Sequence, residues 1–124
     1  MSKELKTAFL VHAVMTVITG ALMLLIPGRF LTWIDWAPID PIASRLLGAA
    51  MLALSWSSFR GWMSREWTQV ALLVELEIAF TVLACVGMGR HLFFSRYPFW
   101  PWFFFSLFAA WAVAWIVLWV RDRE

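Results

Sequence analysis

Two carboxylates, Glu75 and Glu77, interrupt the middle of the third of four long apolar runs in this chain of 124 residues. An ionised side chain at the centre of a bilayer costs roughly 2.5–3.5 kcal/mol on insertion scales, so one that is retained there is a functional-site candidate by default. Two positions apart on a helix, the acids point about 200° away from each other and cannot serve one site as a carboxylate dyad. One stripe runs through Ala71, Glu75, Ala79 and Val82, the other through Val70, Glu77, Thr81 and Ala84. Both contain small residues, so the pattern leaves open which acid faces inward. Arg45, in the first turns of the second run, is the natural counter-charge, at a depth that suits Glu77. The plainer reading is a buried ion pair that sets helix register. The sharper one is a carboxylate that binds a cation or a proton. His12, less than two turns into the first run, would extend this to a proton path of His12, Glu75 and Arg45. An interior histidine bonded to a carbonyl or a hydroxyl is the plainer alternative.

A second candidate is aromatic. Trp111, Trp115 and Trp119 recur at every fourth position of the last run. A ridge facing lipid or a partner is the plain reading. A flat wall for a quinone, a carotenoid or another apolar ring, built on Trp111 and Trp115, is the sharper one. No catalytic residue set emerges: there is no nucleophile triad, phosphate loop or zinc signature, which points away from an enzyme. His12, His91 and the single cysteine Cys85 fall at different depths, so no metal site is expected. Nothing in the sequence requires a cofactor, although a quinone or pigment is compatible with it.

The elements that position these residues follow from composition. The chain is 63% hydrophobic and 15% charged, with ten Trp and eleven Phe, against about 45–50% apolar and about 25% charged in soluble domains. Four apolar runs predict spans at 7–26, 41–59, 67–88 and 101–120, each near the length that crosses about 30 Å of hydrocarbon. Pro27 and Gly28 close the first. Asp40 and Pro41 open the second as N-cap and first helical residue. Gly61 and Gly89 close the second and third. No sustained alternation supports a barrel. The expectation is an all-α, polytopic transmembrane four-helix bundle forming one domain over residues 1–124, its first run a retained span and not a cleaved leader.

Lys3, Lys6, Arg60, Arg65, Arg121 and Arg123 fall on one side, and Arg29, Arg45, Arg90 and Arg96 on the other. The excess, six against four, favours both termini in the cytoplasm. Scattered basic residues at helix ends match anionic headgroups and give no reason to expect nucleic acid. In the first outer loop, 27–41, Phe30, Trp33 and Ile34 share one helical face and predict a short interfacial turn. Trp33 and Trp36 there, with Trp100 and Trp102 in the second outer loop, are expected to anchor at headgroup depth. Close helix approach is expected at Thr16 and Gly20, Ser44 and Gly48, Ala49 and Ala53, and Ala110 and Ala114.

Residues 25–30 (Leu-Ile-Pro-Gly-Arg-Phe) and 40–50 (Asp-Pro-Ile-Ala-Ser-Arg-Leu-Leu-Gly-Ala-Ala) resemble small four-span bacterial membrane proteins of the DoxX-like type. Those proteins also end the first helix near a proline and open the second with an arginine before a Leu-Gly-Ala stretch. The likeness covers about half the chain. It implies a four-span fold and, for some members, an association with quinone-linked electron transfer or membrane redox assemblies. The residue-level reading is a small integral accessory or structural subunit that packs in the lipid bilayer against itself, as a homo-oligomer, or against a larger membrane complex. The alternatives are a small proton- or ion-coupled transporter or channel using Glu75 or Glu77, and a quinone-binding redox component.

Overall fold

The computed structural model describes residues 1–36 and 39–124. They form α1 (Lys3–Leu25), α2 (Pro27–Trp33), α3 (Pro41–Met63), a 3-10 turn at Trp67–Gln69, α4 (Ala71–Leu92) and α5 (Phe99–Asp122), with no strand among the described residues. The protein is all-α, and α1, α3, α4 and α5 are each long and apolar enough to cross a membrane. At 22 to 24 residues apiece they measure about 33–36 Å, slightly more than the hydrocarbon thickness. The chain divides into two compact units, Met1–Glu66 and Trp67–Glu124.

Helix ends account for most differences from the expected spans. α1 starts at Lys3, four residues before the apolar run, because Ser2 caps it by accepting from the Leu5 N–H at 3.1 Å. α3 starts as expected: Asp40 Oδ1 accepts from the N–H groups of Ile42 (2.9 Å) and Ala43 (3.0 Å), with Pro41 at the first helical position. Asp40→Ala should therefore lower stability by about 1 kcal/mol, read as a shift in the thermal midpoint of the detergent-solubilised protein, whereas Asp40→Asn should leave it nearly unmoved. α3 then continues past Gly61 to Met63, and α4 past Gly89 to Leu92. Neither glycine ends its helix. Both are packing positions: a Cβ on Gly61 would lie 2.7 Å from the Phe9 ring, and one on Gly89 3.3 Å from the Phe105 ring. Residues 67–69, expected inside the third span, form the 3-10 turn, and α4 begins at Ala71. α5 begins at Phe99, two residues before Pro101, since a first-turn proline lacks only an N–H that has no intrahelical partner anyway.

Between α1 and α3 the expected turn is the short helix α2. It ends in a Schellman arrangement: the Trp36 N–H bonds the Leu31 carbonyl at 2.8 Å and the Asp35 N–H that of Thr32 at 3.1 Å, with Asp35 left-handed at φ 53°. Its three aromatic and aliphatic residues do not act as one outward face. Leu31 and Ile34 are buried, Phe30 is half-buried and Trp33 is exposed. Positions 37 and 38 of the loop lie outside the described residues.

In the first unit α1 packs on α3, with α2 against both. Leu5, Phe9, His12, Thr16, Gly20 and Met23 are buried on α1; Ser44, Gly48, Met51, Ser55, Ser58 and Gly61 on α3. Along most of both helices the spacing alternates between four and three residues, which keeps one seam facing its partner. The helices approach most closely where Gly20 faces Gly48: a Cβ on Gly48 would sit 2.6 Å from the Leu24 nitrogen and 2.8 Å from the Gly20 oxygen. Two of the expected small-residue pairs, Thr16–Gly20 and Ser44–Gly48, line this contact. The other two do not pack as expected, because Ala49, Ala53 and Ala110 are exposed.

In the second unit α4 packs on α5. The ring contacts Phe80–Phe108 (5.9 Å), Phe93–Phe105 (5.9 Å) and Phe93–Trp102 (5.3 Å) step in opposite directions along the two helices, so the pair is antiparallel.

Candidate functional site

α4 decides between the two acids. Val70, Val74, Glu77 and Thr81 are buried at spacings of four, three and four, and Glu77 has no exposed surface. Glu75, Ala79 and Val82 of the competing stripe are exposed. Thr81 turns its hydroxyl back to the Glu77 carbonyl at 2.7 Å and the Ile78 carbonyl at 3.2 Å, which satisfies the donor within the helix. The extension of α4 to Leu92 also changes the depth of both acids. The midpoint of Ala71–Leu92 falls next to Thr81, so Glu77 lies about 7 Å from it and Glu75 only about 6 Å from the first helical residue. Neither acid lies at the middle of α4, because the helix starts four residues later than expected, after the 3-10 turn, and runs four residues further, past Gly89.

Glu75 lines a groove along the side of the α4–α5 pair, of about 330 Å³, with Ile78, Ala79, Ile116 and Trp119. The Trp119 ring in turn carries the Arg123 guanidinium, 4.1 Å from its centroid. This is a favourable cation–π distance.

Arg45 belongs to the first unit and Glu77 to the second. Within its unit Arg45 is exposed and its Nη1 donates to the Leu24 carbonyl at 3.1 Å. Leu24 lies in the last turn of α1, which has no basic residue of its own. A guanidinium from α3 thus supplies both the hydrogen bond and the positive charge that a helix C-terminus favours.

His12 is 4% exposed and shares a 2.9 Å hydrogen bond between its Nδ1 and the fully buried Ser58 hydroxyl. Ser55 donates to the Ala13 carbonyl at 2.7 Å, and Thr16 to the His12 carbonyl at 2.6 Å. The His12–Ser58 and Ser55–Ala13 contacts tie α3 to α1, while the Thr16 bond stays within α1. Ser55 and Ser58 are the residues that sequence reasoning missed. The signal was present: three serines around Trp56 in an apolar run, two of them three positions apart and in register with Gly48 and Gly61. Both side chains are buried, and the cluster forms helix-to-helix hydrogen bonds of the kind found between membrane-spanning helices.

The tryptophan stripe is not a lipid-facing ridge. Trp115 is fully buried, Trp111 and Trp119 are half-buried, and the Trp111 and Trp115 rings stack at 5.5 Å and 26°. An indole points inward here because α5 presents Ala112, Trp115 and Leu118 as its buried face, and the stripe at every fourth position wraps only partly onto it. The four expected anchors differ in exposure: Trp33 is 66% and Trp100 39% exposed, whereas Trp36 and Trp102 are half-buried.

Compared with family models, with curated proteins and with solved structures, the chain finds no match. The functional reading therefore rests on the residues themselves.

Proposed function

We propose that the protein is a small integral membrane subunit that packs in lipid against a second copy of itself or against a larger membrane complex. The observation that carries this reading is the outward face of α3, where Ala49, Ala50 and Ala53 are exposed. Lipid is as apolar as any side chain, so helices associate in it through close packing, and small residues are what let a second backbone approach. Thin interiors add support: in the most apolar stretches of α1 and α3 33% of the residues are buried, and in those of α4 and α5 only 17%. The host membrane in this reading is the bacterial cytoplasmic membrane, with both termini inside.

Ala53→Phe should break the assembly while leaving the α1–α3 seam intact, because position 53 faces away from it. Native-membrane crosslinking and the oligomeric mass in nanodiscs would show a shift towards single chains. A wild-type protein that is already a single chain in both measurements removes the proposal.

Glu77 favours a second reading. A fully buried carboxylate in a membrane-length helix is the kind of group that carries ions or protons, and a small coupled transporter or channel would use it or Glu75. Unchanged flux through liposomes for both Glu75→Gln and Glu77→Gln counts against that. A third reading follows the DoxX-like resemblance: a redox component holding a quinone against the stacked Trp111 and Trp115. Organic extraction of the purified protein that yields no quinone eliminates it.

A further inference from the structure

Glu75 combines three properties found together in no other carboxylate among the described residues of the four long helices. It is ionisable, it is exposed on a membrane-length helix, and no hydrogen bond or ion pair engages it. It also lines a groove whose other walls are Ile78, Ala79, Ile116 and Trp119. The groove itself is almost wholly apolar, so Glu75 lines it through its aliphatic stem and its carboxylate belongs to the rim. Small-molecule sites of a few hundred Å³ are commonly built this way, apolar walls giving affinity and a few polar groups giving selectivity.

The exposed carboxylate at the rim sets the charge of the occupant. A carboxylate in apolar surroundings attracts a cation, and the face of an indole does the same through its quadrupole. The Trp119 ring already accepts one cation, the Arg123 guanidinium. That group belongs to the exposed residue that follows α5. An acyl chain alone would leave the carboxylate facing hydrocarbon. A second copy docked by a two-fold axis through this face would set one Glu75 against another.

We propose that this groove binds a lipophilic monocation, an amine, quaternary ammonium or phosphonium carried on an apolar body, with Glu75 as its counter-ion and Trp119 as its aromatic wall. The inference requires neither transport nor the subunit role.

Tetraphenylphosphonium and its anionic twin tetraphenylborate test it, by equilibrium dialysis against the full chain in a mild non-ionic detergent. The cation should bind saturably, about one per chain, and the anion should not. Glu75→Gln should weaken the cation by about tenfold or more, while Glu75→Asp stays within about threefold. Glu124→Gln should change nothing. Circular dichroism of the Gln variant should match wild type, since the residue is exposed. Equal uptake of the anion, or cation binding unmoved by Glu75→Gln, overturns the proposal. So does efficient copper–phenanthroline crosslinking of an Ala79→Cys/Cys85→Ser chain to another protein chain in native membranes, because the groove is then occupied by protein.

Discussion

Replacing Gly48 by alanine is expected to destabilise the first unit by about 3 kcal/mol, the upper part of the usual range for overpacking. The added Cβ would stand 2.6 Å from the Leu24 nitrogen, 2.8 Å from the Gly20 oxygen and 2.9 Å from the Met23 carbonyl carbon. All three are backbone atoms of α1, so no side chain can swing aside. The helices must separate, and separation loosens the Ser55–Ala13 hydrogen bond and the His12–Ser58 contact along the same seam. Gly87→Ala is the matched control. A Cβ there meets nothing within 4 Å, and alanine is the better helix former by roughly 0.8–1.0 kcal/mol in water. Unfolding by SDS in mixed micelles, followed by far-ultraviolet circular dichroism, should show the first variant unfolding at much lower SDS fraction and the second unfolding no earlier than wild type. Equal midpoints for Gly48→Ala and wild type would mean that α1 and α3 do not meet at these glycines.

The second large effect is expected at Trp115. Truncating a buried tryptophan to alanine costs about 3–5 kcal/mol in soluble proteins, through lost transfer energy and a cavity. In lipid the transfer part shrinks, since the surrounding chains are as apolar as the protein interior. Lost dispersion contacts and the void remain, so we expect about 3 kcal/mol for Trp115→Ala. Trp115 is fully buried and stacks on Trp111, so the variant should also change the near-ultraviolet dichroism that the coupled indoles produce. Trp56→Ala removes the same side chain from a position that is 64% exposed. It should stay within about 0.5 kcal/mol, as surface changes usually do. If both variants unfold alike, Trp115 is not an interior residue.

These two residues show how the levels of information divide. The existence of four membrane-length helices was legible from the runs of apolar residues, because the bilayer imposes one length and one hydrogen-bonding solution on any segment that crosses it. The opening of α3 was legible too, since Asp40 and Pro41 act on their own next few residues. Glycines were misread: Gly61 and Gly89 looked like helix ends, yet each makes room for a phenylalanine ring on another helix. A local rule cannot see that neighbour.

The acids of α4 make the same point for the candidate site. Sequence alone determined that two carboxylates lie in a membrane-length helix and that helical geometry forbids them a common site. Which of them is enclosed was a tertiary decision. Both stripes offered small residues and aliphatic carbon, so burying either acid would have satisfied the pattern equally well. The choice is made where Val70, Val74, Glu77 and Thr81 form the enclosed side of α4, which leaves Glu75 outside in its groove with Trp119. Periodicity names the faces of a helix, but only contact with other helices assigns one of them to the interior.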